Sequence, residues 1–188
     1  MTNKELSKAI KSRRSIFPKY FNGQLIEENT IIELLENANS APSHKMTQPW
    51  YFKIFSHSAK EKLLQEIIKK NTAITENKIK KLREKFDKSS HIICICMKIK
   101  RDLLPEWEEI AATAMAVQNL WISCVGSNIG GYWSTPKYIS KLSSFLKLNE
   151  DEKCLGFFYL GVHNLIDSRS IKRKMLRKKL NGINSNKR

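Results

Sequence analysis

The stretch from 39 to 55, Asn-Ser-Ala-Pro-Ser-His-Lys-Met-Thr-Gln-Pro-Trp-Tyr-Phe-Lys-Ile-Phe, constrains the fold more than any other part of the chain. Before it, Ile31, Ile32, Leu34, Leu35 and Ala38 recur at helical spacing, which predicts a helix over 27–39 with Asn29 or Thr30 as its cap. After it, an alternating strand pattern begins at Tyr51. Pro42 and Pro49 forbid a regular element between the two, because each lacks an N–H and restricts its predecessor to extended backbone. A rigid polar loop follows from this. Ser43, His44, Lys45, Thr47 and Gln48 offer hydrogen bonds from a segment anchored at both ends by packed structure, a common way to build a binding site.

The rest of the chain alternates helical and strand patterns. Leu6 and Ile10 share one face of a short helix over 4–12 that ends in Arg13-Arg14-Ser15. Two amphipathic helices are predicted over 58–70 and 73–88, and a long helix over 105–127 with Ile110, Ala111, Ala114, Val117, Leu120, Trp121 and Cys124 on its stripe. Glu106, Glu108 and Glu109 in its first turn read as a solvated cluster compensating the helix dipole. Apolar residues on both faces of 91–98 predict a central strand, and 154–162 reads as a buried one, with a further helix over 136–148. Gly130-Gly131 precedes Tyr132-Trp133-Ser134-Thr135. Paired glycines admit the close approach of a flat ligand, or make an ordinary turn before a strand.

With 188 residues and 41% hydrophobic content, the chain has enough apolar material for one domain. No apolar run reaches membrane-spanning length, and the N-terminal residues lack a signal-peptide pattern, so a cytoplasmic location is expected. Cys94, Cys96, Cys124 and Cys154 have neither a metal-site nor a disulfide-framework spacing, so small buried hydrophobes are expected and no metal site. The net charge of +16 raises the question of nucleic acid, but nine of the cations lie in residues 169–188, and no recognition motif accompanies them. The two arginines at 13 and 14 suit an anion, or else simply complement the negative end of their helix.

Ala-Pro-Ser-His-Lys-Met-Thr-Gln-Pro-Trp, with Arg13-Arg14-Ser15 before it, Gly130-Gly131-Tyr132-Trp133 after it and Lys172-Arg173-Lys174 near the end, resembles the FMN-dependent nitroreductase family in its short single-domain bacterial branch. The resemblance runs in order from about residue 5 to about residue 175. It implies an α+β fold, a small mostly antiparallel sheet of four or five strands flanked by helices, in a two-fold homodimer. Residues 1–168 would form the FMN-binding domain, and 169–188 a basic C-terminal segment whose start reaches the FMN site. Cofactor contacts are implied for Arg13, Arg14, Ser15, Ser43, His44, Trp133, Ser134, Thr135 and Arg173, with no side chain acting as a catalytic acid, base or nucleophile. The activity implied is hydride uptake from NADH or NADPH by FMN, then reduction of a nitroaromatic, quinone or activated alkene in a ping-pong cycle. The alternative is a flavin-binding sensor or storage protein with little turnover. The resemblance also implies that the long helix packs across the two-fold, and that residues 58–88 border the flavin pocket.

Overall fold

In the computed structural model, which describes residues 2–165 and Arg173, four strands pair in one antiparallel sheet of order β1-β2-β4-β3. In chain order the elements are α1 (Asn3–Ser12), α2 (Glu28–Asn39), β1 (Trp50–Phe55), α3 (His57–Lys70), α4 (Glu76–Lys88), β2 (His91–Lys98), α5 (Glu106–Ser123), β3 (Ile129–Ser134) and β4 (Glu152–Val162). Short 3-10 turns at Pro18–Tyr20, His44–Met46 and Ile139–Leu142 punctuate the connections. No helix among the described residues is long and apolar enough to cross a membrane.

The sheet carries a core on each face. Strand side chains alternate between faces, so Ile93 and Ile95 of β2 join Phe158 and Leu160 of β4 in a core with α2 and α5. Ile92, Cys94 and Cys96 join Phe157 and Tyr159 in a second core with Leu63, Leu64 and Ile67 of α3 and Leu82 and Phe86 of α4. That is why β2 is apolar throughout: seven of its eight residues are buried, as a central strand sandwiched by helices requires. The cysteines are free; Cys94, Cys96 and Cys124 are buried and Cys154 is half-buried. No group of three or more metal-ligating side chains occurs among the described residues.

Three local expectations need correction. Glu27, rather than Asn29 or Thr30, occupies the N-cap position of α2, and its side chain makes no capping bond. Residues 136–148 form successive turns around Ile139–Leu142 instead of a helix, since only Leu142 and Leu146 bury deeply and the intervening serines and lysines supply no continuous stripe. The Gly130-Gly131 pair lies inside β3 rather than in a turn. A Cβ at Gly130 would stand 2.6 Å from the Cβ of Ile16, and one at Gly131 would penetrate the ring of Phe158. The absent side chains therefore make room for the protein's own core residues. The N-terminal segment closes over the β3–β4 end of the sheet: Ile16 N donates to Gly131 O at 3.0 Å, and Asn22 N to Val162 O at 3.0 Å.

Candidate functional site

Helix α5 sets the geometry of the site, because the arginine segment and the polar loop lie at its two ends. At the C-terminal end, α1 delivers Arg13 and Arg14 beside Trp121, and the two arginines behave differently. Arg14 Nη1 donates to Lys11 O at 2.6 Å and to Arg13 O at 3.1 Å, satisfying carbonyls at the end of α1. Arg13 instead lies over the indole of Trp121, 4.6 Å from the ring centroid, and its Nη1 is buried without a hydrogen-bond partner. Burial first, then the neighbouring Arg173 and Arg14 guanidiniums, lower the pKa of Arg13. Three guanidiniums thus converge, and no ion pair among the described residues joins any of them to a carboxylate. Arg173 is exposed; the rest of the expected C-terminal helix, from Ile171 through Lys172, Lys174, Met175 and Leu176 to Leu180, lies outside the described residues.

Ser15 is half-buried beside Ile16, whose hydrogen bond to Gly131 ties the arginine segment to β3. A recess of about 210 Å³ lies here, walled by Arg14, Ile16, Trp121, Gly130, Gly131 and His163. Trp133 is half-buried against the α5-side core, with Nε1 buried and unbonded, and the Trp121 Nε1 is likewise unbonded. Ser134 is half-buried at the end of β3, and Thr135, just beyond it, is exposed. Orphaned donors are expensive to keep buried. Two of them, on Arg13 and Trp121, belong to stacked side chains and both are donors, which fits an acceptor-rich anionic ligand, while the Trp133 Nε1 stands beside Gly156.

The polar loop sits at the other end of α5. His44 Nδ1 lies 2.5 Å from Glu108 Oε2, Lys45 Nζ donates to Leu103 O at 3.4 Å, and Thr47 Oγ1 donates to Glu109 Oε2 at 2.8 Å. Within the loop, Gln48 N donates to Ser43 Oγ at 3.0 Å. Lys45, Met46 and Gln48 adopt left-handed φ values of 50°, 54° and 43°, which cost L-residues about 1 kcal/mol or more each. The α5 clamp sustains that cost. The three glutamates at the start of α5 are therefore not a uniform solvated cluster. Glu106 pairs with Lys153 and Glu108 with His44, while Glu109 is fully buried, one oxygen on Thr47 and the other unbonded. The sequence placed Thr47 in the polar loop but read Glu109 as solvated, although Glu109 falls on the same helical spacing as the buried Ala112, Thr113, Ala116 and Leu120.

Thirteen residues separate Glu108 from Trp121, which puts the loop clamp and the arginine cluster about 20 Å apart along α5. One copy of the chain brings Arg13, Arg14, Ser15 and Arg173 together and leaves Ser43 and His44 at a distance. Between the two ends, α5 exposes Trp107 (67%), Ile110 (39%) and Met115 (41%) on one face, a spacing of three to five residues that marks a continuous apolar stripe. Leu6 and Ile10 of α1 are exposed as well, and α1 buries no residue.

This arrangement matches known proteins over most of the chain. YfhC of Bacillus subtilis (strain 168), which carries the name of an NAD(P)H nitroreductase, is 24% identical over 159 residues, 81% of each chain. The crystal structure of a nitroreductase-like family protein from Bacillus cereus superposes with a TM-score of 0.85 at 23% identity, covering 98% of both chains. That of the FMN-dependent nitroreductase NfnB from Mycobacterium smegmatis, solved with NADPH, superposes with a TM-score of 0.74 at 15% identity, covering 95% of this chain and 98% of NfnB. The sequence pattern of the Nitroreductase family spans residues 10–162, from the last turn of α1 to the end of β4, and so takes in both ends of α5 and the β3 segment that follows it: the chain belongs to the nitroreductase family.

Proposed function

We propose that the chain is an FMN-dependent oxidoreductase that accepts hydride from NADH or NADPH and passes electrons to a nitroaromatic, quinone or activated alkene. The observation that carries this reading is Arg13: a guanidinium stacked on Trp121, flanked by Arg14 and Arg173, free of any carboxylate among the described residues, and holding an unbonded Nη1 in a buried setting. A phosphate monoester supplies the acceptors and the negative charge that such a cluster lacks.

In this reading Arg13 and Arg173 hold the phosphate, and Ser15 adds a short hydroxyl donor beside them. Arg14 fixes the end of α1 through its bonds to Lys11 and Arg13, which keeps the cluster in register. Ser134 and Thr135 would border the isoalloxazine ring at the end of β3, with Trp133 on the α5 side of the strand offering its Nε1 as a donor in want of an acceptor. When bound, FMN supplies the electron transfer itself. The donor's departure then leaves the same space for the acceptor, a ping-pong order that requires no second nucleotide-binding fold.

A second copy completes the site. Two α5 helices packed through the Trp107–Ile110–Met115 face about a two-fold, running antiparallel, set the N-terminal end of one against the C-terminal end of the other. That brings Ser43 and His44 of one copy toward the arginine cluster of the other, across a distance that a single chain does not close. Fluorescence titration of the flavin-free protein with FMN and with riboflavin tests the reading. FMN is expected to bind at least about tenfold tighter, the worth of one charge-assisted contact to its phosphate. Equal affinity for the two would refute a phosphate role for the cluster.

A further inference from the structure

On the α3–α4 side of the sheet, Lys78, Lys81 and Lys85 of α4 face Lys137 and Lys141 of the segment after β3 across a groove of about 630 Å³. None of these five ammonium groups is in an ion pair among the described residues. The contrast with the same helix is informative: Arg83, on another flank of α4, is matched by Glu61 at 3.0 Å. Lysines from two separate elements converging without an ion pair, with Glu84 the one carboxylate among the described residues of the adjoining recess, create a net positive potential that favours an anion and costs the empty protein some self-repulsion. The groove is not merely a charged surface. It has an apolar floor in buried Leu82 and half-buried Ile74, with the half-buried Tyr138 on its wall.

The groove also approaches the end of β3, since Lys137 and Tyr138 on its wall follow Ser134 and Thr135 closely in the chain. It shares Lys81 and Lys85 with an adjoining recess of about 470 Å³, whose opposite wall is Phe17 and Tyr132, rings 4.6 Å apart. Phe17 follows Arg13-Arg14-Ser15 by two residues, and Tyr132 shares its face of β3 with Ser134, whereas Trp133 points to the opposite, α5 side. Lys137 lies just past Ser134 and Thr135. A ligand spanning these features presents phosphates to the lysines, one planar ring to the apolar floor and another toward the end of β3.

We propose that this groove binds the pyrophosphate and adenosine half of the nicotinamide dinucleotide that donates electrons, an inference that rests on the reading of the chain as an NAD(P)H-dependent oxidoreductase. The lysines act as point charges on the donor's phosphates and contribute to its affinity rather than to the hydride step. Their long side chains also explain how a groove of this kind serves without any Gly-rich phosphate loop.

The test uses the full chain and the double variant Lys81→Gln/Lys137→Gln, with Lys62→Gln/Lys69→Gln on α3 as a charge-matched control outside the groove. Calorimetric titration with ADP-ribose, which carries the phosphates but no nicotinamide, reads the groove directly. Steady-state KM values for NADPH and for reduced nicotinamide riboside, which has no phosphate, read it in turnover. The expected result is that ADP-ribose binds, more weakly as salt rises. The groove variant should weaken that binding and raise the NADPH-to-riboside KM ratio, each by about tenfold, while the control changes neither. Absence of ADP-ribose binding, or a KM ratio changed by less than about twofold in the groove variant, would overturn the proposal. The calorimetric readout does not depend on flavin, so a chain that retained no FMN would sink the proposed function while leaving the groove to be judged on its own titration.

Discussion

Arg13→Met separates a ligand-binding role from a structural one, because the two predict opposite consequences for stability. Methionine keeps an apolar, polarisable cover on Trp121 and loses only the cation–π component, worth about 0.5–1 kcal/mol at a partly exposed site. Against that, the variant removes an unbonded buried Nη1, relief of about 1 kcal/mol or more, and also ends the repulsion of Arg13 by Arg173 and Arg14. The two nearly cancel. The flavin-free variant should melt within about 3 °C of the parent, since 1 kcal/mol shifts a chain of this size by about 2–4 °C. FMN affinity behaves differently: a charge-assisted bond to phosphate contributes about 1.5–3 kcal/mol, so the dissociation constant should rise by about 10- to 150-fold. Scanning fluorimetry and FMN fluorescence quenching measure the two quantities. A melting loss above about 5 °C, or FMN affinity held within about twofold, would refute the argument.

Other consequences follow from the same geometry. Met115→Glu would introduce a charge twice into the proposed isologous interface and should weaken self-association by about 100-fold or more, with flavin lost at micromolar protein while the far-ultraviolet circular dichroism is kept; sedimentation velocity of parent and variant decides it. Gly156 has φ +139°, and a Cβ there would overlap Ser134 O and lie 2.9 Å from Trp133 Nε1. Gly156→Ala should therefore cost about 3 kcal/mol and lower the melting temperature by about 6–12 °C, a loss that a variant melting like the parent would rule out. His91 is held below its usual pKa of 6.5, by burial first and then by Lys60 and His57. Its neutral form is the one the fold favours, so its contribution is complete above pH 6.5 and is lost as the pH falls from there toward the folded-state value, where the unfolded chain takes up the proton first. The urea midpoint should drop between pH 8 and pH 5.5, and His91→Gln should flatten that drop; equal slopes would argue against the assignment.

The sequence is most legible where one rule dominates. The continuous apolar run of β2 is read correctly as a central strand because burial on both faces leaves no polar position. The alternation from Tyr51 onward, one residue inside the strand that forms, and the stripes of α2, α3 and α5 carry equally direct signals. Legibility fails where a residue's role depends on a distant partner. Nothing local distinguishes Arg13 from Arg14, yet Trp121, more than a hundred residues away, makes one a stacked orphan while the other caps α1. Gly130 and Gly131 look like a turn or a ligand platform until Ile16 and Phe158 are seen to fill their space. Glu109 hides among three glutamates, and only its place on the inward stripe, with Thr47 above it, marks it as the buried clamp of the polar loop. The candidate site shows the same limit. The loop and the arginine segment are each visible in the sequence, whereas their separation by most of α5, on which the proposal of a second copy rests, depends on where the helices pack.

Anaerobic titration of the FMN-loaded full chain with NADH and NADPH, followed by visible absorbance, tests the central claim most directly. The account predicts stoichiometric retention of flavin, bleaching of its absorbance near 450 nm on the order of one equivalent of donor, and recovery when a quinone is admitted, as hydride transfer through bound FMN requires. Flavin that binds but stays oxidised with both donors would contradict the enzymatic reading, and a chain that retains no flavin with Arg13 and Trp121 intact would contradict the site itself.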